Sequence, residues 1–187
     1  MFAAPRIAAK TLKAAVGWSL EPQLELRFES VALANEDLDL TANGTWRATG
    51  KGPGALDLVG RITRLRAAAA HAYAPLVLAA DVRQWLATAF TAGEAVDGLL
   101  RLRGDLADFP FAAGGGDFRV QARMRGIGLA YLPGWPAVSN LDGDLRIERA
   151  RLQFDGRQAA VSDTRLESIE VRIPNLTHDA HLRVAFK

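Results

Sequence analysis

Leu129-Ala130-Tyr131-Leu132-Pro133-Gly134-Trp135-Pro136, with Leu141-Asp142-Gly143-Asp144-Leu145-Arg146-Ile147 behind it, is the stretch on which the fold turns. An alternating strand runs in, a Pro-Gly-Trp-Pro turn stops it, and a second alternating strand leaves. Two prolines fix φ and remove two backbone donors, so a sheet ladder must break between them. Gly134 can take the positive φ such a turn needs. Trp135 is large and apolar, and is expected to fold back as a plug over the sheet. The segment therefore predicts strand, turn, strand, and most of the chain repeats that theme.

Upstream, Leu24, Leu26 and Phe28 alternate with Glu25, Arg27 and Glu29, the pattern of a half-buried strand. Leu12 to Leu20 reads as its hairpin partner across Glu21-Pro22. Asn35-Glu36-Asp37 marks a turn, Asn43-Gly44 a tight turn or bulge, and Gly50 to Gly54 a hairpin loop. Leu56, Leu58, Gly60 and Ile62 line the inner face of the next strand. The period then changes. Arg64 to Ala74 is alanine-rich and reads as a short helix closed by Pro75. Asp81 with Gln84 resembles a capping box, and Val82, Trp85, Leu86, Ala89 and Phe90 form a helical stripe ending at Gly93. This second helix is expected to lay Trp85 and Phe90 on the sheet. Strands resume near Val96. Asp155-Gly156 closes the strand of Leu152 and Phe154, and further strands follow at 159–162, 166–173 and 181–186.

The expected fold is therefore mainly β (β-rich α+β): a strongly curved antiparallel sheet forming an open groove or half-barrel, with two short helices inserted at 64–93. Residues 1–187 are read as one domain. The end at Ala185-Phe186-Lys187 falls in mid-strand pattern, so the chain is expected to be an internal fragment of a longer repeating protein.

Composition narrows the functional classes. Of 187 residues, 49% are hydrophobic, enough for a core and too many for a disordered segment. The pI is near 9.3 but the net charge is only +2, and the arginines alternate with apolar and acidic residues instead of clustering. That pattern is a solvated sheet face, and it argues against nucleic acid. The absence of cysteine excludes disulfides, thiolate metal sites and thiol nucleophiles. Met1 to Arg6 lacks the basic start and apolar run of a signal peptide.

No catalytic constellation stands out. His178 and His181 flank Asp179, but on a strand positions i and i+3 face opposite sides. Gly114-Gly115-Gly116 and Gly50-Lys51-Gly52 lack the Lys-Ser/Thr ending and following helix of a phosphate loop. Asp37/Asp39 and Asp142/Asp144 have no calcium-loop pattern around them. No serine sits in a nucleophile elbow. The expectation is a non-enzyme with no metal and no cofactor.

A family resemblance gives the apolar faces a meaning. Leu102-Arg103-Gly104-Asp105-Leu106-Ala107-Asp108-Phe109-Pro110-Phe111, then Phe118-Arg119-Val120, Tyr131 to Pro136, Leu141 to Leu145 and Leu152 follow one another as in the YhdP family of AsmA-like proteins of Gram-negative bacteria. Tyr73-Ala74-Pro75-Leu76-Val77, Trp85-Leu86 and Ala92-Gly93 match that family's helical segment, and Asn35 and Gly44 fall in its upstream strands. The resemblance runs from about residue 11 to the end. It implies the periplasmic portion of an inner-membrane-anchored protein whose long β-groove carries phospholipid between the inner and outer membranes. The implied partners are phospholipid and neighbouring groove segments of the same parent chain. The groove-facing candidates are Leu100, Leu102, Val120, Ala122, Met124, Leu145, Ile147, Leu152 and Phe154. A ligand-free structural or interaction module of the cell envelope is the alternative.

Overall fold

The structure is a computed structural model and describes residues 8–50, 52–74, 80–176 and 183–187, the side chains of Asp81 and Phe186 excepted. Alternation dominates it, and 62% of the described residues are in strands. The strands are β1 (Thr11–Ser19), β2 (Glu25–Ala34), β3 (Leu38–Arg47), β4 (Ala55–Arg66), β5 (Phe90–Asp105), β6 (Asp117–Leu129), β7 (Val138–Glu148), β8 (Arg151–Val161), β9 (Thr164–Leu166), β10 (Ile169–Ile173) and β11 (Arg183–Phe186). They form one antiparallel sheet in the order β1-β2-β3-β4-β5-β6-β7-β8-β10-β11, with β9 paired to the end of β8. The sheet is curved and does not close. One α-helix, α1 (Ala80–Ala89), and a 3-10 helix, Ala67–Tyr73, are inserted between β4 and β5. A single 3-10 turn, Leu106–Asp108, follows β5.

Register shifts interrupt the ladder within most strand pairs, for example at Phe28/Val31, Asp39/Leu40, Val96/Leu99 and Met124/Ile127. Each bulge bends its strand and adds twist. Strands bent along their own length make a trough that runs from strand to strand, with the connecting loops as its two lips.

Several local expectations are corrected. Asn43-Gly44 makes no turn and lies within β3, so Trp46 belongs to the same strand. Asp155-Gly156 likewise lies inside β8. Both pairs have cross-strand partners, which hold them extended despite their turn propensity. The alanine-rich segment is not α-helical. Strand β4 continues to Arg66, whose amide donates to Asp37 O and whose Nη1 pairs with the Asp37 carboxylate at 3.0 Å. Only then does the chain wind into the 3-10 helix.

Helix α1 ends at Ala89, four residues before Gly93. Phe90 opens β5, and Gly93 sits at a bulge with φ +87°. A Cβ there would lie 2.6 Å from the carbonyl oxygens of Arg125 and Gly126, so the glycine serves strand packing. Asp81 falls within α1, its side chain outside the described set, and Pro75 lies outside the described residues. Trp85 meets the sheet only at its rim. It stays 41% exposed and meets Phe90 edge-on at 5.9 Å. Trp135 is no plug: it is 62% exposed and touches Tyr131, the ring centres 6.3 Å apart.

The core lies at one end of the trough. Ala67, Met124, Ile127, Leu141, Phe154, Ala159 and Ile169 form one buried cluster, with Phe90, Leu129 and Val138 packed around it. A second buried point is Phe111, 1% exposed, in the loop after β5. It stacks edge-on with Phe109 at 6.1 Å, and Phe109 meets Phe118 at 4.9 Å. Gly104 and Gly116 pass so close to the Phe111 ring that a side chain at either would overlap it.

Candidate functional site: an apolar trough

In an antiparallel sheet directly paired residues share a face, so the registers give the trough lining. One row runs Ala14, Val31, Ala42, Gly60, Leu100, Val120, Ile147, Leu152, Ile173, one residue from each of nine strands. No polar side chain interrupts it. A second row runs Val16, Phe28, Gly44, Leu58, Leu102, Phe118. A third runs Ala122, Leu145, Phe154, Val171, Val184. All nine residues expected to line a groove therefore lie on one face. Met124 and Phe154 are buried in the core cluster, and the other seven are half-buried.

That face carries the buried cluster and the half-buried rows, so it is the inner, concave one, and its glycines are crowded. A Cβ on Gly98 would lie 2.9 Å from Ile62 Cβ, and one on Gly143 would lie 2.5 Å from both Asp155 O and Phe154 Cζ. Gly17, on the opposite face beside Arg27, has nothing within 4 Å. Inward bending brings neighbouring strands together on the inner side, and small residues there make room. Ala67 of the 3-10 helix packs into the buried cluster on that face, and the two helices otherwise contact each other and the adjoining parts of β4 and β5.

The convex face is ionic. Asp57 is hydrogen-bonded by Arg101 and has Arg103 at 3.7 Å. The Arg101 hydrogen bond, helped by the charges of Arg101, Arg103 and Arg47 and opposed by slight burial, holds its carboxyl below the usual range. Asp144 and Asp155 face each other across β7 and β8, a repulsive pairing. Arg157 on Asp144 at 2.5 Å and Arg172 on Asp155 at 2.6 Å relieve it. The Arg157 hydrogen bond leads in lowering the Asp144 pKa, and the Arg157 pKa is raised in return. With the other ion pairs of the described residues, nine of the 19 arginines are held against Asp or Glu. Among the described residues no group of three or more His, Asp or Glu is arranged to hold a metal. His178, Asp179 and His181 lie outside the described residues.

The sequence reading did not single out Ala14, Val31, Ala42 or Ile173 as lining. Alanine carries too weak an apolar signal to mark a face by itself, and only the cross-strand partners reveal its place.

An open single-layer antiparallel sheet, apolar on its concave side and charged on its convex side, defines the class: a β-groove protein. A protein-family model described as YhdP protein matches residues 1–187, and the chain belongs to that family. Neither a curated protein nor a solved structure matches it.

Proposed function

We propose that the trough shields the acyl chains of phospholipid moving between the inner and outer membranes, as part of the periplasmic portion of an inner-membrane-anchored envelope protein. Neighbouring groove segments of a longer parent chain would extend the path, and no catalysis is involved. The observation that supports this reading is the nine-strand row without a polar side chain. At about 4.8 Å per strand its eight steps span roughly 38 Å. Carrying a chain of about 16 methylenes through water costs on the order of 10 kcal/mol at about 0.8 kcal/mol per methylene. A continuous apolar row removes that cost along the whole path and needs no strong site at any point.

The test is lipid extraction from the purified chain followed by mass spectrometry, beside Leu100→Asp. Phospholipid retained by the native chain, and retained in reduced but not abolished amount by a folded Leu100→Asp variant, is the expected outcome. A folded native chain that retains none, even after incubation with lipid dispersions, sinks the proposal. The cluster of Met124, Ile127, Phe154 and Ile169 favours a second reading, a ligand-free envelope module, because there the concave face is filled by its own side chains.

A further inference from the structure

The trough has two unlike lips. On one, Phe109, Phe111 and Phe118 turn onto one another, and the Trp46 indole N–H donates to Pro53 O at 2.9 Å. On the other, residues 132–137 are all exposed, with Leu132 at 50% and Trp135 at 62%. Trp85 of α1 lies beside them, its Nε1 donating to Tyr131 O at 3.2 Å. The loop is held in place: Ala130 N donates to Ala89 O, Trp135 N donates to Leu132 O, and two prolines fix φ. No charged residue occurs from Gly126 to Asn140 or from Gln84 to Gly93.

We infer that this aromatic lip holds the ester and headgroup layer of the lipid whose acyl chains lie in the trough. The inference rests on the trough reading above. A phospholipid needs two environments within one molecule. The concave rows supply the hydrocarbon environment. The layer above the chains is half apolar and half hydrogen-bonding, and tryptophan and tyrosine suit that layer through an apolar body and a polar end. Leu129 packs against the buried cluster at the end of β6, and Tyr131 and Trp135 follow it directly onto the lip. These two aromatic stretches carry no charge, so they contribute no ion pair. Their effect is indifferent to headgroup charge and to salt.

The test uses the full chain and two probes: diphenylhexatriene, which has no headgroup, and short-chain phospholipids with either a phosphocholine or a phosphoglycerol head. The native chain binds both kinds. Tyr131→Ala/Trp135→Ala weakens both phospholipids about tenfold, at low and high salt alike, and leaves diphenylhexatriene binding unchanged. Equal loss of both probes, no loss of either, or a loss confined to one headgroup or to low salt overturns the inference while leaving the trough reading standing. A native chain that binds neither probe removes the trough reading, and the lip with it.

Discussion

Asn35 carries more structure than its size suggests. Its Oδ1 accepts from the amides of Asp37 and Leu38 at 2.9 and 2.7 Å, closing the β2–β3 turn. Its Nδ2 donates to Ala8 O and to the Tyr73 hydroxyl, which ties that turn to the 3-10 helix. Asn35→Ala strands several of these groups at once and is expected to cost about 1–3 kcal/mol in urea unfolding. Phe111→Ala removes a ring buried against two glycines and is expected to cost about 3–5 kcal/mol. Trp135→Ala is expected to stay within about 0.5 kcal/mol of the native chain by the same measurement, because an exposed ring has little packing to lose. The Asn35 turn was legible, since asparagine before Glu-Asp has a local mechanism. The exposure of Trp135 was not, because an apolar side chain in a loop reads as buried unless the sequence reveals that nothing is there to cover it.

Pairing within elements decided what local propensity could not. Residues that punctuate a sequence lie inside strands once neighbouring strands supply hydrogen bonds, extended at Asn43-Gly44 in β3 and Asp155-Gly156 in β8 and at bulges at Gly93 and Asp97 in β5. Alternation resumes on each side of a bulge with its parity shifted, as where Val31 and Phe28, three residues apart, share one face, so strand existence was legible while facing across a bulge and strand ends were not. On the convex side, β4 and β5 share the Asp57–Arg101–Arg103 group. The folded pKa of Asp57 lies below its unfolded value, so its contribution is complete above the unfolded pKa of about 4 and is lost as pH falls through the folded value. Stability of the native chain is therefore expected to decline more steeply below about pH 4 than that of Asp57→Asn. The difference is small, because the Asp57 side chain is 47% exposed and solvent screens the pair. Denaturation midpoints between pH 3 and pH 6 measure it. Equal slopes for the two proteins would remove the ion pair from the acid response.

At the scale of the whole molecule, a trough differs from a pocket in how it fails. A pocket depends on a few residues at one place. A trough is a series of equivalent steps, and passage stops wherever one step is blocked. The apolar row offers widely separated points for this comparison: Ala42 on β3, Leu100 on β5 and Leu152 on β8. An aspartate at any of them places a charge in the path of a hydrocarbon chain and costs several kcal/mol at that step. In a donor-to-acceptor vesicle assay, Ala42→Asp, Leu100→Asp and Leu152→Asp are expected to slow transfer to a similar extent. The lipid held at equilibrium should fall only by the share of the trough each one spoils. A pocket predicts the opposite: one substitution abolishes both binding and transfer, and the distant ones do neither. Far-ultraviolet circular dichroism on each variant separates a blocked trough from an unfolded sheet. The sequence made the alternating faces readable and left their continuity hidden, because continuity depends on which residue stands opposite which across nine strands.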